Sequence, residues 1–164
     1  MIDQASKLRT MIGGKSLEVQ IKEEGKAVKI YSVVSGKGGV GKTNFSINLA
    51  IKLQQMGKRV LILDADIGMS NANILLGIDS SMTISDLINH GAELKDVIIK
   101  GPEGVDLLSG GADLILMESL DDDRQKYILE SLNDLGIYDI IIIDNGAGIS
   151  KHTLTFSTFA HEII

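Results

Sequence analysis

The sequence predicts an α/β domain with a mostly parallel sheet, and three observations carry the prediction. Short β-rich runs alternate with longer stretches of helical period along most of its 164 residues. Two of the runs, VLIL at 60–63 and IIII at 140–143, are continuously apolar, as strands covered on both faces are. Glycines stand where a strand passes into a helix or a helix ends, at 36–41, 57 and 136. The length suffices for one domain with a real core.

In chain order, Ile2, Ala5, Leu8 and Ile12 recur at helical spacing with Asp3 near the favourable end, and predict a helix over 1–14 that Gly13-Gly14 closes. Residues 15–26 are polar and aperiodic and read as a connector or edge strand. The main domain occupies 27–164. KIYSVVS (29–35) is a strand ending in a glycine loop, and Phe45, Leu49, Leu53 and Met56 mark a helix that Gly57 caps. After VLIL come a short helix near 83–90, a strand near 105–109 and a helix near 121–135 that opens on three aspartates, the favourable charge there. DIIIID (139–144) is expected to be the most buried strand, followed by an amphipathic run over 150–159. HEII at 161–164 reads as the opening of a further strand, so the sequence is expected to be a partial chain, ending before the last strands of its fold.

Composition removes several function classes. Sixteen basic against 22 acidic side chains leave a net charge of −6, unsuited to a nucleic-acid surface spread over the domain. Without cysteine there is no thiolate nucleophile, disulfide, iron–sulfur cluster or Cys-ligated zinc, and a cytoplasmic location is expected. The N-terminus has no signal-peptide core, and no run approaches the roughly 18 apolar residues of a membrane span. His90, His152 and His161 share no metal-ligand spacing. Six aromatics, none grouped with basic residues, give no stacking platform for single strands.

The glycine loop satisfies two motifs. Gly36, Gly38 and Gly41 match the dinucleotide fingerprint G-x-G-x-x-G, with Asp64 and Asp66 near the place of a ribose-binding acid. Gly36, Gly41, Lys42 and Thr43 match G-x-x-x-x-G-K-[ST], the phosphate loop of nucleotide hydrolases. Lys42 and Thr43 have work only in the second reading: an ammonium for the β- and γ-phosphates and a hydroxyl for Mg²⁺. Asp144, closing an apolar strand, suits the acid that holds the metal's water shell, and the NGAG that follows offers backbone amides to a γ-phosphate. The hydrolase reading therefore prevails. It predicts a P-loop NTPase three-layer sandwich binding a nucleoside triphosphate and Mg²⁺ on Gly36, Gly38, Gly39, Val40, Gly41, Lys42, Thr43, Asn44 and Gly146, the triphosphate being ATP by the family resemblance that follows.

Lys37 is the residue an ordinary phosphate loop does not explain. KGGVGKT (37–43) resembles the deviant Walker A motif of the MinD/ParA family of dimeric ATPases. The resemblance implies that Lys37 reaches across an ATP-dependent homodimer to the partner's phosphates. DADIGMSNANILLG (64–77) resembles that family's first switch segment, implying that Asp66 orients the attacking water and that Asp64 supports the Mg²⁺ shell. DNGAGIS (144–150) resembles the second, with Asn145 where a Thr or Ser is more usual. Thr43, Asp64 and Asp144 are thus the implied metal set, the two acids through water, and Lys37, Lys42 and Asp66 the catalytic set. Met69 and Asn71 fall where the family places dimer-facing residues, although a methionine is also ordinary core material.

The N-terminus narrows the resemblance. Asp3-Gln4-Ala5 followed by Leu8-Arg9 is similar to the DQAxxLR motif of the FlhG group, MinD-like ATPases that control flagellar number and placement. That similarity implies docking of Asp3, Gln4, Leu8 and Arg9 on an FlhF-like GTPase of the signal-recognition-particle type, with Gln4 stimulating GTP hydrolysis. Flagellar basal-body proteins are further implied partners. Membrane attachment would come peripherally through a C-terminal helix that this chain does not contain, and no nucleic acid is expected. A ParA-like DNA-partitioning ATPase shares the core, but the acidic balance and the N-terminal motif weigh against it.

Overall fold

The computed structural model describes residues 28–66, 71–79, 81–111 and 120–164. The helix expected over 1–14, with Asp3, Gln4, Leu8 and Arg9, the connector over 15–26, and Met69 lie outside them.

Among the described residues thirteen elements follow in order, six of them strands: β1 (Lys29–Ser35), α1 (Lys42–Gln55), β2 (Val60–Ala65), α2 (Ala72–Leu76), α3 (Ile84–Asn89), α4 (Leu94–Val97), β3 (Ile98–Lys100), a 3₁₀ turn (Pro102–Gly104), β4 (Asp106–Ser109), α5 (Asp122–Asp134), β5 (Ile140–Ala147), α6 (Lys151–Thr158) and β6 (Glu162–Ile163). They form one sheet in the order β3-β4-β2-β5-β1-β6. All pairings are parallel except the edge pair β3/β4, as the sequence predicts for all but that edge. β5 lies between β1 and β2, with Ile140 opposite Lys29 on one side and Val60 on the other.

Successive strand residues face opposite sides of a sheet, and here both sides are covered. Leu61, Leu63, Ile141 and Ile143 pack with Ile84, Ile128, Leu132 and Phe156 of the α3–α6 layer. Val60, Ile62, Ile140 and Ile142 pack with Ile47, Ala50, Ala72 and Leu76 of the α1–α2 layer. The three layers explain why VLIL and IIII show no alternation: every position meets a core. β2 is buried along its whole length, so β5 shares the deepest burial rather than holding it alone.

The helix ends obey local chemistry. Asp121 accepts a hydrogen bond from Arg124 N at 2.9 Å, which caps α5 and gives the aspartate cluster its role. Ser150 caps α6 through Thr153 N at 3.1 Å. α1 has the predicted span, but its apolar face is placed differently. Phe45 and Met56 are 47% and 65% exposed, while Ser46, Ile47 and Ala50 are buried. Small residues let the first turns of α1 approach the sheet closely, and a phenylalanine there would hold it off. At the far edge β6 is fastened by His161, whose backbone N–H donates to Ile30 O at 2.8 Å while its Nδ1 accepts from Ile30 N at 3.1 Å. Among the described residues no helix is long and apolar enough to cross a membrane.

Candidate nucleotide site

In open α/β sheets ligands gather at the carboxyl ends of the strands where strand order reverses. The carboxyl ends of β1, β2 and β5, adjacent in the sheet, carry the candidate residues. β1 runs into the glycine loop, which Ser35 Oγ tightens by donating to Lys37 O at 2.8 Å. Gly39 and Gly41 adopt φ of 72° and 95°, values that glycine reaches without steric cost. Gly41 also stands at the N-cap of α1, with no side chain capping the helix and no acidic residue in its first turn. The helix thus presents unsatisfied N–H groups and its positive dipole end to the loop, the backbone chemistry of an anion site.

Lys42 and Thr43 open α1 and face the cleft. Beneath them Asp144 is 1% exposed. It accepts hydrogen bonds from Ser46 Oγ at 3.0 Å and from the Thr43 hydroxyl. Burial lifts its carboxyl above the ordinary carboxylate range and nearby Asp66 adds to the rise; the two hydroxyls and the Lys42 ammonium oppose it. Asp66 is likewise raised by burial and partly restored by Lys42. Asp144 does not end its strand as expected: β5 continues to Ala147. Gly146 passes under Asp66 so closely that a β-carbon there would lie 2.8 Å from Asp66 Oδ1.

Asp64, buried at the end of β2, also braces its own neighbours. Its Oδ1 accepts from Asp66 N and its Oδ2 from Ala72 N, each at 3.1 Å. These bonds hold Asp66 and the start of α2, and a carboxylate oxygen that accepts one hydrogen bond can still accept a second. A cleft of about 590 Å³ brings together Gly38, Gly39, Gly41, Lys42, Thr43, Asn44 and Asp66, and adds Asn71 with Ile74 and Leu75 of α2 as a lip. That volume suits a small organic ligand. Gly36, Lys37 and Val40 are exposed outside this lining. The histidines do not converge: His90 bonds Asp86, His152 bonds Gln125 and His161 bonds Ile30.

The donor set fits Mg²⁺. A threonine hydroxyl and a buried carboxylate are hard oxygen ligands, of the kind this ion takes alongside water and phosphate. Two mutually repelling carboxylates, Asp66 and Asp144, are charge that a cation would relieve.

A glycine loop opening a helix, a lysine–threonine pair and a buried aspartate on the neighbouring strand define a P-loop nucleotide-binding domain. Residues 28–164 match the family described as an AAA domain, and the chain belongs to that family. It is 36% identical to the antiactivator FleN of Pseudomonas aeruginosa over 84% of this chain and 49% of that protein. It is 32% identical to the flagellum site-determining protein YlxH of Helicobacter pylori over 95% of this chain and 53% of that protein. The septum site-determining protein MinD from Pyrococcus horikoshii OT3, solved in complex with Mg-ADP, superposes with a TM-score of 0.73 at 34% identity, covering 83% of this chain and 56% of that one. The resemblance to MinD/ParA-type proteins of the FlhG kind is therefore borne out, as is the α/β P-loop fold. The chain spans about half the length of the curated relatives it matches.

Proposed function

We propose that this domain binds Mg-ATP on the glycine loop and hydrolyses it slowly, as the core of a MinD-like switch that governs flagellar number and placement. The observation that carries the reading is the convergence of Lys42, Thr43 and Asp66 on one cleft, at the ends of three adjacent strands, with Asp144 buried against Thr43. Lys42 and the N–H groups opening α1 hold the β- and γ-phosphates. Thr43, and Asp144 through water, hold Mg²⁺, which when bound neutralises charge on the phosphate oxygens. Asp66 accepts a hydrogen bond from the attacking water and aims its oxygen at the γ-phosphorus. The new P–O bond forms as the bond to the β-phosphate bridging oxygen breaks, and the water's protons leave with the released phosphate. Lys37, exposed and outside its own cleft, serves the phosphates of a second copy, so that ATP closes a homodimer and hydrolysis opens it. Asp3, Gln4, Leu8 and Arg9 dock on an FlhF-like GTPase, and the whole protein works in the cytoplasm with peripheral membrane attachment.

Calorimetric titration with Mg-ATP tests the core of this reading. Wild-type protein is expected to bind, and Lys42→Ala to weaken binding by at least about a hundredfold. Equal affinity in the two proteins, or displacement of ATP by a nicotinamide dinucleotide, would overturn it.

A further inference from the structure

Asn145, next to the buried acid, is unexplained by the phosphate chemistry. It points to the opposite side of the sheet from Asp144, as strand alternation requires, and is almost wholly buried. Its Nδ2 donates to Ser32 Oγ at 2.8 Å, Val33 O at 3.1 Å and Ile143 O at 3.3 Å. Ser32 Oγ in turn bonds Ser157 Oγ of α6 at 2.9 Å.

The place of these bonds gives them meaning. β1 and β5 run in strict register from Lys29/Ile140 to Val33/Asp144, and then Ser35 pairs with Ala147. Two steps along β1 answer three along β5, so β5 carries one extra residue between Asp144 and Ala147. Such a bulge interrupts the ladder and re-aims the chain beyond it. Asn145 takes the Val33 carbonyl at the point where the register breaks, and the ladder resumes with Gly148 N donating to Ser35 O at 2.9 Å. Between these two bonds lies Gly146, the residue over which Asp66 packs.

Resting on the ATPase reading above, we infer that Asn145 is a positioning residue: its amide pins the bulge after Asp144 and thereby sets Gly146 beneath the water-orienting Asp66. It touches neither nucleotide nor metal, and acts through Gly146 alone. A serine keeps a donor, but it is too short to span Ser32 Oγ and Val33 O together. An alanine keeps nothing.

The test compares Asn145→Ala with Ser157→Ala, which breaks the outer bond to α6 and leaves the bulge pinned. Asn145→Ala is expected to keep Mg-ADP affinity within about twofold while kcat falls roughly tenfold to a hundredfold. Asn145→Gln, which restores a donor, should recover part of the loss. Ser157→Ala is expected to lower Tm and leave kcat unchanged. Equal losses of kcat in the two alanine variants, or a kcat loss that Tm alone tracks, would overturn the inference. Amide hydrogen exchange in the nucleotide-free protein reads the same placement without turnover: faster exchange at Gly148 in Asn145→Ala, and not in Ser157→Ala, is expected, and identical protection in both overturns it. Wild-type protein that binds Mg-ATP and turns none over would remove the ATPase reading while the exchange result still decides the placement of Asn145.

Discussion

Gly146→Ala separates position from binding. Its backbone φ is not left-handed, so the strain of a positive φ does not arise for alanine there. The obstacle is Asp66. The added β-carbon would lie 2.8 Å from Oδ1 and 3.5 Å from Cγ, while ordinary contact begins at 3.4 Å. The carboxylate must move by at least about 0.6 Å, and it can do so by side-chain rotation because Oδ1 is its free end. Folding stability should therefore change by no more than about 1 kcal/mol, the extra methyl also relieving some chain entropy in the unfolded state. Catalysis is less tolerant: a displacement of about 1 Å costs on the order of a hundredfold in rate. We expect kcat to fall roughly tenfold to a hundredfold, with Mg-ADP affinity within about twofold of wild type. Steady-state phosphate release, calorimetric ADP titration and a thermal melt on the same preparation check all three quantities. Unchanged kcat, or ADP affinity falling in step with kcat, would show that Asp66 is not held over Gly146 for chemistry.

Asp144→Asn should stabilise the nucleotide-free protein at neutral pH, raising Tm by a few degrees, because burial holds the wild-type carboxyl above its ordinary range. A raised folded-state value means stability is fully present below the unfolded value of about 3.9 and is lost as pH climbs through the folded one. The advantage of the variant must therefore shrink on acidification, and a Tm below wild type at pH 7 refutes the sign. Lys37→Ala should retain ATP binding and lose ATP-dependent dimerisation, read by light scattering; equal dimer fractions for variant and wild type contradict delivery in trans. A peptide of residues 1–12 should raise GTP turnover by an FlhF-type GTPase, and Gln4→Ala should abolish the gain; an inert parent peptide removes the partner assignment and leaves the ATPase reading intact.

The features legible in the sequence were those that repeat or that obey a fixed spacing. β2, β5 and the glycine loop could be read because apolar continuity and G-x-x-x-x-G-K-T each demand many residues at once. α2, α4 and β3, of five, four and three residues, are shorter than the period that would reveal them. The face of α1 was misplaced for a chemical reason: Ser46 occupies a buried position because Asp144 requires its hydroxyl, and a hydrophobic count sees only a polar interruption. A signal existed, since Ser46 follows Thr43 by one helical turn. Asp64 illustrates the opposite limit. Motif likeness located an acid at the end of β2, but not that its oxygens also accept from Asp66 N and Ala72 N and so brace the switch segment.

The three-layer packing also makes β5 a counting device. Its even-numbered members, Ile140, Ile142 and Asp144, look toward α1; its odd ones, Ile141, Ile143 and Asn145, look toward α5 and α6. Deleting or inserting one isoleucine would leave the hydrophobicity of the strand almost untouched, yet it would swap the acid and the amide between the α1 side and the α5–α6 side. Length within this isoleucine tract is therefore guarded more tightly than the identity of any one isoleucine.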